Sequence, residues 1–195
     1  MAQPPVPPDG DYAALINQME AGSFSAALGL RFTRATRDEV LAELTITERH
    51  HQPYGVVHGG VHASVIETLS SVGAGIAAFE HNKSVLGLEN HTTFVRAVRD
   101  GTLLARATPI TRGRRTQVWE TNIRTAQGDL VASGRVRLLL LDPESQVAGR
   151  AVGFKGQEPS AQTIAAAQGS AAGAAASPAH PAAQTTSATP ADRSQ

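Results

Sequence analysis

Across residues 40–46 apolar and polar positions alternate, which places Val40, Ala42, Leu44 and Ile46 on one face of a strand. Residues 30–36 predict a weaker strand just before it. Over residues 59–79 the spacing changes to that of a helix: at ~100° per residue, Val61, Val65, Leu69, Val72, Ile76 and Phe79 fall within one arc. Four strand-like stretches follow, over 85–95, 103–111, 116–125 and 130–141, with Asp100-Gly101 and Gln127-Gly128-Asp129 supplying turn chemistry between neighbours. Upstream, residues 11–20 predict a short helix with Leu15, Ile16 and Met19 on one side and Gly22 ending it. The expected plan is a strand pair, one long helix, then an antiparallel meander, an α+β arrangement.

The far side of the long helix changes the picture. It carries Ala63, Ser64, Glu67, Ser71, Ala74 and Ala78, with a single carboxylate where a solvated helix face would carry several charges. Such a face is expected to pack against something, with Glu67 within it. The plainer alternative is a solvated, idle glutamate, but a half-buried carboxylate costs several kcal/mol unless paired, so its presence points to chemistry. The loop entering the helix, residues 50–60, ends in His58-Gly59-Gly60. A helix N-terminus presents unpaired N–H groups, and glycine lets a ligand come close to them, as a developing oxyanion requires. Gly59 and Glu67 are eight positions apart, or about 12 Å along a helix. One small reacting group cannot touch both in one chain, so a site using both needs two subunits, a homodimer at least.

The ends of the chain read differently. Residues 1–10 hold four prolines, and 143–195 are read as a linker and then an Ala/Pro/Ser/Thr-rich tail in which, from 157 on, Ile164 is the sole large aliphatic. Neither end offers enough apolar surface to offset its ordering entropy, leaving 11–142 as the expected domain. Seventeen Lys and Arg balance 17 Asp and Glu, so no net charge draws the chain to nucleic acid or to an anionic membrane. There is no cysteine, hence no disulfide, thiolate nucleophile or cysteine-held metal. The first ten residues lack the form of a secretory signal, and no uninterrupted apolar run reaches the ~18–20 residues of a membrane span; a cytoplasmic protein is expected. His58 and His62 form an i, i+4 pair of the kind that ligates metals, but it straddles the helix start without a third ligand, and no metal or cofactor is expected. His50, His51, His81 and His91 are read as surface or strand residues.

Gln52-Pro-Tyr-Gly-Val-Val-His-Gly-Gly-Val61, followed by Ile66-Glu67-Thr68 and Ser71-Val72, resembles the hot-dog thioesterases of the phenylacetate-degradation and 4-hydroxybenzoyl-CoA type. Within them the motifs are most similar to enzymes acting on 1,4-dihydroxy-2-naphthoyl-CoA. The likeness runs on through Leu86-Gly-Leu-Glu89, Val95-Arg96, Arg99-Asp-Gly101, Thr116-Gln-Val-Trp119 and Gly128 to Leu141, covering most of 28–141. It implies an antiparallel sheet wrapped around one long helix, paired into dimers and often tetramers, that hydrolyses acyl-CoA. On that likeness Glu67 attacks the thioester or activates water, and the Gly59 N–H polarises the carbonyl. Gln52 and His58 lie near the thioester from the partner subunit, and the Ser71 hydroxyl helps place water or the acyl group. For CoA it points to Gly87, to Phe94, Val95, Arg96 and Ala97, and to the turn Thr111, Arg112, Gly113, Arg114, Arg115, Thr116. Arg96, Arg114 and Arg115 suit phosphate, the alternative being solvated surface arginines. The sequence departs from its nearest likenesses at Asn90-His-Thr-Thr-Phe94 and at Arg114.

The acyl group is expected to be aromatic, with medium-chain acyl-CoA second. An acyl-CoA sensor and a hot-dog dehydratase share the fold. The first would need a reader element for which the N-terminal ~25 residues are too short, and the second places its acid and histidine differently.

Overall fold

The computed structural model describes residues 10–152. Most of the proline-rich start and all of the 157–195 tail lie outside them. Two short helices come first, α1 (Ala13–Met19) and α2 (Phe24–Leu28), then β1 (Leu30–Ala35), β2 (Val40–Thr45), the long α3 (Gly59–Phe79), β3 (Ser84–Phe94), β4 (Thr102–Arg112), β5 (Thr116–Thr125) and β6 (Leu130–Leu141). A small hairpin, β7 (Gln146–Val147) with β8 (Arg150–Ala151), stands in the stretch read as linker.

The single helix expected before β1 is two. α2 is a turn and a half that Ser23 caps by accepting the Ala26 N–H, and Gly29 closes it in the left-handed region at φ 81°. α1 is tied to β1 by side chains: Asp11 accepts the N–H of both Ala13 and Ala35, and Asn17 exchanges two bonds with the Phe32 backbone.

The six large strands form one antiparallel sheet in the order β1-β2-β4-β5-β6-β3. β4, β5 and β6 are a meander as expected, but β3 pairs with β6, not with β4. The Asp100-Gly101 turn therefore does not join neighbours. The reason lies just after β3: the N–H groups of Val95 and Arg96 both go to the Val131 carbonyl, and Val98 accepts the Val57 N–H. Residues 95–101 are thereby held against the loop entering α3, and the chain crosses to the middle of the sheet, where β4 pairs with β2. β3 is left at the sheet's rim, bonded on one side only among the described residues. Leu86, Leu88, Phe94 and Val95 lie exposed along it and just past its end.

The sheet curls around α3. Val40, Ala42, Leu44 and Ile46 are buried as the alternation predicts, joined by Leu103, Ala105, Trp119, Ile123, Val131, Val136 and Leu138. The buried side of the helix is rotated from the expected arc. It runs through Val61, Val65, Ile66, Leu69, Ser70, Gly73, Ala74, Ala77 and Ala78, while Val72 and Ile76 are only partly buried. Trp119 causes this: a Cβ on Gly73 would stand 2.4 Å from its Cζ3, so the C-terminal half of α3 meets the sheet through its smallest residues. α3 is long and apolar enough to cross a membrane by length and composition, although Glu67 and several polar residues interrupt its apolar run. In this fold it is the core helix.

Candidate active site

The predicted catalytic residues fall at two separate ends of the seam where α3 packs against β3. At one end the Ser71 hydroxyl donates to Glu67 Oε1 at 3.0 Å, one helical turn apart on the same face. Gly87 on β3 lies against the same carboxylate, since a Cβ there would stand 3.1 Å from Glu67 Oε1. Glu67 and Ser71 are partly buried. The carboxylate is thus oriented by one hydroxyl, with its surroundings left open by a glycine.

At the other end the loop folds into the helix start. Gln52 donates its N–H to the Val56 carbonyl and accepts the Gly55 N–H, a tight turn in which Gly55 has φ 70°. His58 is the N-cap: its Nδ1 accepts the Gly60 N–H at 2.9 Å and its carbonyl accepts the Val61 N–H. Those two bonds leave the Gly59 N–H without an acceptor among the described residues, at the positive end of the longest helix. The Phe94 ring packs on Gly59 so closely that a Cβ would stand 2.8 Å from its Cζ. Midway, the Asn90 amide donates to the Ala63 carbonyl at 3.0 Å and fastens β3 to the helix.

His62 does not form a metal-binding pair with His58. It is 4% exposed, while His58 is exposed and occupied with capping, so the two side chains do not share a face. Its ring tilts against Phe94 with centroids 6.2 Å apart, and its Nδ1 is buried without a partner. Burial pushes its pKa below the usual histidine value. His50 is likewise no surface residue: it is buried, bonded to the Leu28 carbonyl by Nε2 and to the Thr47 backbone N–H by Nδ1.

The CoA candidates separate. Arg112 donates to the Arg37 carbonyl and to Asp38 Oδ1 at 2.6 Å, and its guanidinium sits 5.7 Å from the Trp119 ring centroid. The Arg112 guanidinium is thus engaged within its own chain, beside Trp119. Arg96 pairs with Asp129 at 3.3 Å. Arg114 and Arg115 are exposed in the turn closed by the Gly113 N–H to the Thr116 carbonyl, without an ion pair among the described residues. Thr111, Val95 and Ala97 are exposed as well.

A model of the thioesterase superfamily matches residues 54–132, which span the loop from Tyr54, all of α3 and the strands through Ala132 in β6. The 1,4-dihydroxy-2-naphthoyl-CoA hydrolase of Escherichia coli is 32% identical over 126 residues, 65% of this chain and 91% of that protein. The chain belongs to the thioesterase superfamily. The proofreading thioesterase EntH of Cronobacter sakazakii is also 32% identical over 126 residues, 65% of this chain and 91% of its own length. In three dimensions a crystal structure of a thioesterase from Haemophilus influenzae matches with a TM-score of 0.65 and 34% identity, over 69% of this chain and 93% of that one. The sheet wrapped around α3 is accordingly the hot-dog fold, and the protein is a thioester hydrolase. The superfamily match holds both ends of the seam, with Gly59, Glu67, Ser71 and Gly87 inside it and Gln52 two residues before it.

Proposed function

We propose that this thioesterase hydrolyses acyl-CoA, with Glu67 as its catalytic carboxylate, at a site that two copies of the chain complete together. One observation carries the reading: a carboxylate held by Ser71 and a helix-end N–H left unbonded at Gly59 lie along the seam of α3 with β3, too far apart to serve a single carbonyl in one chain. Ala63 is the midpoint between them, and its carbonyl is bonded to Asn90, in the body of the rim strand β3. Pairing two β3 edges antiparallel about Asn90 would lay two α3 helices side by side in opposite directions. Gly59 would then face the partner subunit's Glu67. The exposed Leu86 and Leu88 and the unpaired edge of β3 favour such a pairing, because an open strand edge is a template for another strand.

In that site the thioester oxygen takes the Gly59 N–H. Either Glu67 accepts a proton from a water that attacks the carbonyl carbon, or Glu67 attacks and the resulting anhydride is hydrolysed. In both routes the C–S bond breaks, CoA leaves as its thiol after protonation, and the acyl group leaves as the free acid. Arg114 and Arg115 are the cations available for CoA phosphates, with Arg96 if Asp129 releases it. An aromatic acyl group is proposed first, on the name of the Escherichia coli relative.

The test is release of free CoA thiol from a panel of aromatic and medium-chain acyl-CoAs, free of background because the chain has no cysteine. Glu67→Ala and Glu67→Gln should both fold and lose about a hundredfold or more in kcat/KM. Binding of acyl-CoA without thiol release by the wild type would leave a non-catalytic binding protein instead.

A further inference from the structure

His62 is a buried titratable side chain of α3 that the reaction above does not use, and its Nδ1 is one of two buried side-chain nitrogens without a partner among the described residues. Such an atom forfeits its hydration for nothing unless something reaches it. Its surroundings say what could. The ring lies one helical turn past His58 and against Phe94, whose own ring rests on Gly59. Phe94 is 58% exposed in the single chain and sits at the end of β3, outside the core. An acyl group whose carbonyl sits at Gly59 would then run beneath Phe94, with its far end toward His62, about 4–5 Å further along the helix axis.

We infer that His62 is a specificity-determining residue whose Nδ1 bonds a hydroxyl carried on the far part of the acyl group. The inference rests on the acyl-CoA reading above. A hydroxyl is the group called for because it can donate or accept, and so suits whichever tautomer the imidazole holds. Burial keeps that imidazole neutral near pH 7, which fits an uncharged partner better than a carboxylate. A plain hydrocarbon acyl group would leave the nitrogen as unsatisfied as it is without ligand.

The test compares kcat/KM for benzoyl-CoA, 4-methylbenzoyl-CoA and the 2-, 3- and 4-hydroxybenzoyl-CoAs in wild type, His62→Phe and His62→Asn. Wild type should prefer at least one hydroxylated substrate over benzoyl-CoA by about tenfold or more. His62→Phe should bring that ratio close to one, and His62→Asn, which keeps a polar atom near the Nδ1 position, should retain part of it. His62→Leu replaces the phenylalanine variant if that one does not fold. A wild-type ratio near one for every hydroxylated substrate, or a ratio unchanged in His62→Phe or His62→Leu, overturns the assignment while leaving the thioesterase reading intact. If no substrate releases thiol, the acyl-CoA reading falls and this assignment with it.

Discussion

At the scale of single residues, the Ser71 hydroxyl holds Oε1 of Glu67, and the other oxygen has no hydrogen-bond donor among the described residues. A hydrogen bond to a charged acceptor is worth about 1.5–3 kcal/mol, which sets the scale for its loss. Ser71→Ala should therefore lower kcat by roughly ten- to a hundredfold with little change in KM, and Ser71→Thr should recover most of it. Steady-state kinetics on any accepted acyl-CoA decides this; a change confined to KM would place Ser71 in binding instead. His62 allows a second test, read in stability. Its folded pKa lies below the ordinary value of 6.5, so above that pH it is neutral in both states and contributes no pH dependence. As the pH falls below it, the unfolded chain takes up a proton that the folded chain refuses, and stability drops until the folded pKa is passed. Urea midpoints measured between about pH 7 and 5 should fall more steeply for wild type than for His62→Phe. Equal slopes would mean the buried ring is protonated in place. The sequence made Glu67 and Gly59 legible because their neighbours were anomalous: a lone carboxylate among small residues, and paired glycines at a helix start. His62 was not, since nothing in a one-dimensional pattern distinguishes a histidine that faces an aromatic from one that faces water. The bonds of Arg112 were hidden for a related reason, its partners Arg37 and Asp38 being more than seventy residues away in the chain.

The elements were legible wherever one physical cause set the pattern. β2 alternates because it is buried on a single face, and all four later strands lie within a residue or so of their expected bounds. Pairing was harder, because turn chemistry at Asp100-Gly101 is local, whereas the bonds that steer 95–101 toward Val57 and Val131 are not. The buried arc of α3 was displaced by another long-range fact, the position of Trp119. Glycine in a helix interior ordinarily costs about 1 kcal/mol relative to alanine, so Gly73→Ala would stabilise an isolated helix. Here the added methyl must share space with an indole that is wholly buried and whose Nε1 is bonded to Gln117 at 2.8 Å. Overpacking costs typically 1–3 kcal/mol and outweighs the propensity gain. Gly73→Ala should lower Tm by several degrees, and the double variant with Trp119→Phe, whose smaller ring relieves the clash, should lose less than the sum of the two single losses. A raised Tm in the single variant would show that the crossing of α3 over β5 has slack.

For the whole molecule the question is whether one chain holds an active site or half of two. The two-subunit reading makes a demand that no single-chain site can meet: two dead variants must revive each other. Glu67→Ala removes the carboxylate. Gly59→Pro removes the free N–H with little damage, since proline is favoured at the first helical position and His58 already has the extended backbone, φ −65° and ψ 135°, that precedes a proline. The exposed Phe94 ring can yield to the added atoms. Each variant alone should be inactive. If they are mixed under mild denaturation and returned to native buffer, half of the dimers pair unlike chains. Each such dimer holds one site with Gly59 from the first variant and Glu67 from the second, beside one site lacking both. Recovered turnover should approach about a quarter of the wild-type value for an isologous dimer that exchanges at random. Substituting proline at Asn90 in both chains should abolish the recovery by breaking the rim strand through which the copies are proposed to pair, and size-exclusion chromatography with light scattering should then report a single chain. Mixtures that stay inactive while native mass spectrometry confirms mixed dimers would place Gly59 and Glu67 in separate roles. The oxyanion would then have to be held by another donor within reach of Glu67 on its own chain.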